Sequence, residues 1–143
     1  MKIGELASMA QCTVETVRYY EKEGLLPVPA RTTANYRSYG KPHVERLCFI
    51  RNCRALDMTH EEIRTLLDLL DLPSEDCSGV NQLLDAHIGH VDVRIAELSQ
   101  LKEKLVELRL ACRTEKSVDQ CGILRGLAVV ETAPRDHRET HLG

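Results

Sequence analysis

Residues 13–26 read Thr13-Val14-Glu15-Thr16-Val17-Arg18-Tyr19-Tyr20-Glu21-Lys22-Glu23-Gly24-Leu25-Leu26, and the fold turns on how this stretch is read. Thr13 stands in front of a helical run, where a short side-chain oxygen satisfies an orphan N–H of the first turn. Gly24 ends the run, because glycine adopts the left-handed backbone that closes a helix without a Cβ penalty. The reading is therefore a helix over Val14 to Glu23. Upstream, Ile3 to Met9 puts Ile3, Leu6 and Ala7 on one helical face, and Ala10-Gln11-Cys12 makes a tight turn. Two short helices joined this way are the helix-turn-helix pattern.

Working outward, Leu25-Leu26-Pro27-Val28-Pro29 runs extended, because each proline drives its predecessor out of helical geometry. Arg31 to Gly40 crowds two Tyr and two Arg into a stretch suited to a small hairpin, a wing. Pro42 opens a third helix reaching about Leu56. Thr59-His60-Glu61-Glu62 is a capping box that starts a fourth, with Ile63, Leu66, Leu67 and Leu70 on one face.

Beyond a polar linker, Leu84, Ile88, Val91, Ile95, Leu98, Leu105, Leu108 and Cys112 step by three and four, with one break near Leu101 and Lys102. That is the seam of a coiled coil, and a single helix cannot bury its own stripe, so a homodimer is expected. The fold class is mainly α. It comprises a winged helix-turn-helix domain (1–70), a linker (71–79), an antiparallel coiled-coil dimerisation helix (80–112), a metal-binding loop with a short helix (113–127) and a flexible tail (128–143).

Composition fits this plan. Aromatics are 3% of the 143 residues and Trp is absent, which is thin material for a thick globular core. The net charge of -3 alone argues against nucleic acid. Its distribution argues for it: residues 1–57 hold nine Lys/Arg against six Asp/Glu, and residues 58–143 hold ten against sixteen. No apolar run approaches the ~20 residues of a membrane span. Met1-Lys2-Ile3-Gly4-Glu5 lacks the apolar core of a signal peptide, so a cytoplasmic protein with no membrane partner is expected. In that compartment six cysteines point to metal or redox chemistry before a disulfide scaffold. No base–nucleophile pairing and no phosphate loop stands out, so the chain is read as a non-enzyme.

The 13–26 string, with Asn35-Tyr36-Arg37-Ser38-Tyr39 and the helix containing Val44-Glu45-Arg46-Leu47, closely resembles the N-terminal domain of MerR-family transcription regulators. The resemblance extends along nearly the whole chain, and the two Tyr/Arg strings are highly specific in combination. The residues agree independently. Thr13 and Thr16 sit near the N-terminus of the second helix, where a recognition helix meets base edges or phosphate. Arg18, Arg31 and Arg37 are suited to phosphates. Tyr19, Tyr20, Tyr36 and Tyr39 carry hydroxyls that can bond them, and Asn35 shares the wing. Tyr39 has a rival reading as a core aromatic.

Cys77, Cys112 and Cys121 lie outside this DNA-reading segment, among polar neighbours. Cys112 and Cys121 are separated by the eight residues RTEKSVDQ, long enough for a loop that brings both sulfurs to one ion. Cys77 precedes the long helix that Cys112 closes, so antiparallel pairing would bring it to the partner's Cys112 and Cys121. Cys12, Cys48 and Cys53 read as small buried hydrophobes. The resemblance implies a three-cysteine site shared across the dimer, of the mercury, lead and cadmium branch. Three thiolates suit Pb(II) or Cd(II) as effector, with Hg(II) or Zn(II) as alternatives. The implied function is a repressor-activator that sits on double-stranded promoter DNA, distorts it on binding metal, and so realigns the promoter for RNA polymerase at heavy-metal resistance genes. The rivals are a thiol redox sensor on the same DNA module, and a thiolate metalloenzyme or storage protein.

Overall fold

The computed structural model describes residues 1–72, 76–114 and 117–130. Among these, six α-helices follow one another: α1 (Ile3–Met9), α2 (Val14–Lys22), α3 (Lys41–Ala55), α4 (His60–Leu70), α5 (Ser78–Leu110) and α6 (Gly122–Val129), with a 3-10 turn at Val118–Gln120 before α6. The chain divides into two units, Met1–Leu83 and Leu84–Gly143. The expected class, mainly α with a helix-turn-helix and a long helix, is what the chain adopts. The tail beyond Val130, with His137 and His141, lies outside the described residues, as do residues 73–75 and 115–116.

Local chemistry accounts for the boundaries. Thr13 Oγ1 accepts the Thr16 N–H at 3.1 Å and so caps α2. At the other end Gly24 takes φ 75°, Leu25 N–H reaches Tyr20 O at 2.9 Å, and Gly24 N–H reaches Glu21 O at 3.1 Å. That pair is a Schellman closure, with the apolar Leu25 turned back toward Tyr20. The capping box at Thr59 is complete. Its Oγ1 accepts Glu62 N–H at 3.1 Å, and Glu62 Oε1 accepts Thr59 N–H at 3.0 Å.

Two apolar clusters make the core of the first unit. Leu6, Ala7, Ala10, Val17, Leu26, Tyr39 and Leu47 form one; Leu25, Ile50, Cys53, Met58, Ile63, Leu66 and Leu67 form the other. Tyr20 is packed against both, which locks the recognition helix to α3 and α4. Arginines clamp the intervening turns. Arg46 donates to Leu25 O at 3.1 Å, Arg51 to Ala10 O at 2.9 Å, Arg54 to Met58 O at 2.6 Å and Arg64 to Glu23 O at 2.6 Å. Ala10 and Glu23 are helix C-caps, whose carbonyls have no intrahelical partner, and Leu25 and Met58 lie in the connecting turns.

The wing is smaller than a strand pair. A single antiparallel bridge joins Arg31 and Arg37, and Asn35 turns the chain at φ 66°. Asparagine tolerates that left-handed conformation better than most residues. Thr32 N–H donates to Tyr36 O at 2.7 Å and Ser38 N–H to Ala30 O at 3.1 Å, so the hairpin path is kept without a regular ladder.

The 33 residues of α5 make a helix about 50 Å long at 1.5 Å per residue. It starts and ends two residues earlier than its seam predicts. Leu84, Ile88, Ile95, Leu98 and Leu105 are exposed along it. No helix of the described residues is long and apolar enough to cross a membrane.

Candidate nucleic-acid interface and thiol positions

Helix α2 and the wing converge on one face of the first unit. There a depression of about 410 Å³ is lined by Lys2, Ile3, Arg18, Arg31, Asn35, Tyr36 and Arg37. Four of its seven lining residues are cationic, which suits a polyanion. Arg18 is exposed on α2, and Tyr36 is 62% exposed at the tip of the wing. Lys2 Nζ lies 5.5 Å from the centre of the Tyr36 ring, within cation–π range. Arg31 donates to Asn35 O at 3.2 Å and so braces the wing turn from within.

The sequence-predicted residues divide into three sets. Thr13, Arg18, Tyr19, Arg31, Asn35 and Tyr36 are exposed. Thr16 is half-buried, its hydroxyl 2.9 Å from that of Thr13. Tyr19 Oη is 3.3 Å from His60 Nδ1, so the start of α4 stands beside the recognition helix. Tyr20 is half-buried between the two clusters and contributes mainly packing.

Tyr39 is a correction. It was expected among the DNA-contacting hydroxyls, but it is only 2% exposed. Its hydroxyl donates to Glu21 on α2, and its backbone N–H donates to Met1 O at 2.9 Å. Burial, then the hydrogen bond to Glu21, pushes the phenol above its ordinary pKa of 10.0. Arg37 binds the same carboxylate at 2.7 Å, and the Glu21 side chain is 5% exposed. Glu21 thus joins wing to recognition helix. Neither Glu21 nor Lys2 was singled out by sequence. The Glu21 pairing spans 16 and 18 residues and has no local signature.

The six cysteines are thiols rather than disulfides, and they fall into two groups. Cys53 is buried, and Cys12 and Cys48 pack against the first cluster. Burial pushes the Cys12 and Cys53 thiols above their ordinary value of 9.0, which opposes the thiolate. Cys77 is exposed; Cys112 and Cys121 are half-buried. Cys77 O accepts Asn81 N–H at 2.9 Å, so Cys77 occupies the N-cap position of α5. Just before it, Asp76 accepts from the Ser78 hydroxyl and N–H, which hold its carboxyl below the usual value. Cys112 follows the last turn of α5, with its Sγ 3.4 Å from Thr114 O. Cys121 caps α6, its carbonyl accepting Arg125 N–H at 3.2 Å.

Helix α6 folds back onto the end of α5 through two glycines. A Cβ on Gly122 would lie 2.4 Å from Ala111 O, and one on Gly126 would lie 2.8 Å from Leu108 Cδ2. Only a residue without a side chain lets α6 start against the residue that precedes Cys112. The same close approach sets where Cys121, one residue earlier, begins.

Comparison with known proteins agrees with this layout. Residues 1–70 match the family described as MerR HTH family regulatory protein, and residues 44–108 match that described as MerR, DNA binding. The HTH-type transcriptional regulator ZntR homolog of Haemophilus influenzae is 50% identical over 109 residues, which are 76% of this chain and 81% of that protein. The mercuric resistance operon regulatory protein of Bacillus cereus is 34% identical over 126 residues, 88% of this chain and 96% of that one. The crystal structure of the transcription regulator PbrR691 from Ralstonia metallidurans CH34 in complex with lead(II) superposes with a TM-score of 0.80 at 52% identity, covering 89% of this chain and 98% of that one. With a helix-turn-helix held by its own caps, a wing beside it and a long helix following, the chain belongs to the MerR family of HTH regulatory proteins.

Proposed function

We propose that this chain is a transcription regulator that binds promoter DNA as a homodimer and responds to Pb(II) or Cd(II) held by Cys77, Cys112 and Cys121. The observation that carries the reading is the placement of cysteines at the two ends of α5. A rigid helix of about 50 Å keeps Cys77 and Cys112 of one chain apart, so a common ion needs a second chain. Antiparallel pairing of two α5 helices supplies that chain. It covers the exposed stripe through Leu84, Ile95, Leu98 and Leu105, and it sets each Cys77 beside the partner's Cys112–Cys121 loop.

The donor set fits a thiophilic ion. These three thiols are outside the core, whereas Cys12, Cys48 and Cys53 are packed into it. A metal ion would supply the charge that stabilises three thiolates in one place. The chain's own residues position them: Asn81 N–H fixes the Cys77 backbone, Arg109 donates to Cys112 O at 2.9 Å, and Gly122 holds the Cys121 end against α5. The likeness to a lead(II)-bound regulator at 52% identity supports lead, and the same sulfurs suit Cd(II), with Hg(II) or Zn(II) as rivals within the family.

In the first unit, Thr13, Thr16, Arg18, Tyr19, Arg31, Asn35 and Tyr36 are the surface offered to DNA, with Tyr20 and Arg37 behind them. On this reading metal binding favours the dimer conformation that deforms the promoter. DNA deformation and metal affinity are then reciprocally linked, and RNA polymerase reads the altered spacer.

Mixing two variants tests the shared site. Reduced Cys77→Ser and Cys112→Ser proteins are titrated with Pb(II) separately and after subunit exchange, following the thiolate-to-lead absorption. Separately, each is expected to lose tight binding. Mixed, half of the heterodimer's sites are whole, and tight binding returns. No recovery on proven exchange would sink the shared site, and wild-type protein that binds none of the four ions tightly would sink the metal reading.

A further inference from the structure

The basic depression contains four cations, but they are not equivalent. Arg37 is paired with the 5%-exposed Glu21 carboxylate at 2.7 Å. Arg31 is turned into the wing, donating to the carbonyl of Asn35 at 3.2 Å. Among the described residues, neither Arg18 nor Lys2 makes an ion pair, and the Lys2 ammonium lies over the Tyr36 ring. These two come from different elements, the residue before α1 and the middle of α2, and they line the same 410 Å³ depression. Ile3 also lines it, and Tyr36 brings a hydroxyl on its exposed ring.

We propose that this depression is a cup for a DNA backbone phosphate, with Lys2 and Arg18 as its cationic ligands, and that Glu21 withdraws Arg37 from phosphate binding to hold the wing in place. The proposal rests on the DNA-binding reading and sharpens it by dividing the cations into ligands and braces. Lys2 is the new contact. Its ammonium lies 5.5 Å from the centre of the Tyr36 ring, which limits the freedom that an exposed lysine otherwise loses on binding. Glu21 is a positioning residue. With Arg37 and Tyr39 on one carboxylate, the wing and α2 present their side chains as one surface.

Counterion release makes the count measurable. Each neutralised phosphate steepens the plot of log affinity against log salt by about 0.9. The full-length protein is titrated onto a labelled mixed-sequence DNA duplex at several salt concentrations, which needs no knowledge of the operator. Each dimer carries two such cups, so Lys2→Met is expected to flatten the slope by about 1.8, about 0.9 for each protomer, and Lys2→Arg to restore it. Glu21→Gln keeps the Tyr39 hydrogen bond but frees Arg37, and is expected to steepen the slope by a similar amount. An unchanged slope in Lys2→Met overturns the cup. An unchanged slope in Glu21→Gln, with the helical spectrum intact, overturns the assignment of Arg37 as a brace. Wild-type protein whose duplex binding is absent or insensitive to salt overturns the DNA reading itself, an outcome distinct from either.

Discussion

The first unit and the second half of α5 solve the same problem in opposite ways. Met1–Leu83 turns its apolar residues inward: Leu6, Val17, Leu25, Ile50 and Ile63 are each 0% exposed. Along α5 the apolar residues point outward, with Ile95 54% and Leu105 64% exposed. Both stretches repeat hydrophobics at helical spacing. The difference is that α1 to α4 are short and joined by tight turns, so they can wrap one another. Among the described residues, the long helix α5 leaves Ile88, Ile95, Leu98 and Leu105 exposed. Thus one region completes its core alone, and the other leaves its apolar stripe exposed.

Breaking each core separately tests this contrast most severely. Leu47→Ala, which opens a cavity between α3 and the helix-turn-helix, is expected to cost about 2–5 kcal/mol, with the same loss at every protein concentration. Leu98→Glu changes an exposed residue outside the core clusters, yet on the dimer reading it abolishes association. Its melting temperature then becomes independent of concentration, while the wild type's rises with it. Thermal unfolding at two concentrations, with sedimentation velocity, reads both. A monomeric wild type would erase the comparison.

The second test concerns how α6 meets α5. Gly122→Ala drives a methyl into the Ala111 carbonyl and must displace the Cys121 end. A loss of about 10–100-fold in Pb(II) affinity is expected, the scale seen when support for metal ligands is removed. Gly89→Ala on α5 has open space at its Cβ and is the matched control, expected to be neutral or mildly stabilising. Equal affinities in the two variants would show that α6 packing does not position the thiol.

The smallest effect lies at the junction of wing and core. Tyr39→Phe removes the hydroxyl from Glu21 but leaves Arg37 on it, so a loss of about 1 kcal/mol at neutral pH is expected. The phenol's folded pKa lies above 10.0, so folding favours its neutral form. That contribution is full below pH 10.0 and disappears as pH rises through the raised folded value. The melting temperature of wild type minus variant should therefore shrink as pH climbs past 10. Cys12 and Cys53 titrate with the same sign in both proteins and cancel in the difference. A difference that stays flat to the highest pH would remove the buried hydrogen bond from the account.

Much of this was legible in the chain because it depends on near neighbours. Thr13, Gly24 and the Thr59–Glu62 box act within one helical turn, and their spacing announces the helix ends. The seam from Leu84 to Leu108 is legible as an apolar stripe by periodicity alone, and Ile88, Ile95, Leu98 and Leu105 along it are exposed. The charge of the N-terminal half was legible in sign but not in use. Arg46, Arg51 and Arg54 each donate to a backbone carbonyl and Arg37 to Glu21, so much of the apparent DNA-binding charge is scaffold. A residue count cannot separate a guanidinium aimed at solvent from one aimed at a carbonyl or carboxylate of the same chain.

By itself, the sequence determined the order and ends of the helices, the helix-turn-helix, the apolar stripe along α5 and the cysteines that stand outside the core. These follow from caps, turns and periodicity, which are properties of residues a few places apart. The tertiary structure alone decided that Tyr39 is core and not surface, that Glu21 ties the wing to α2, that Lys2 joins Arg18 in one depression, and that Gly122 lets α6 begin against Ala111. Those contacts join residues 11 to 38 places apart. Their existence depends on how the helices pack, and no local spacing encodes it.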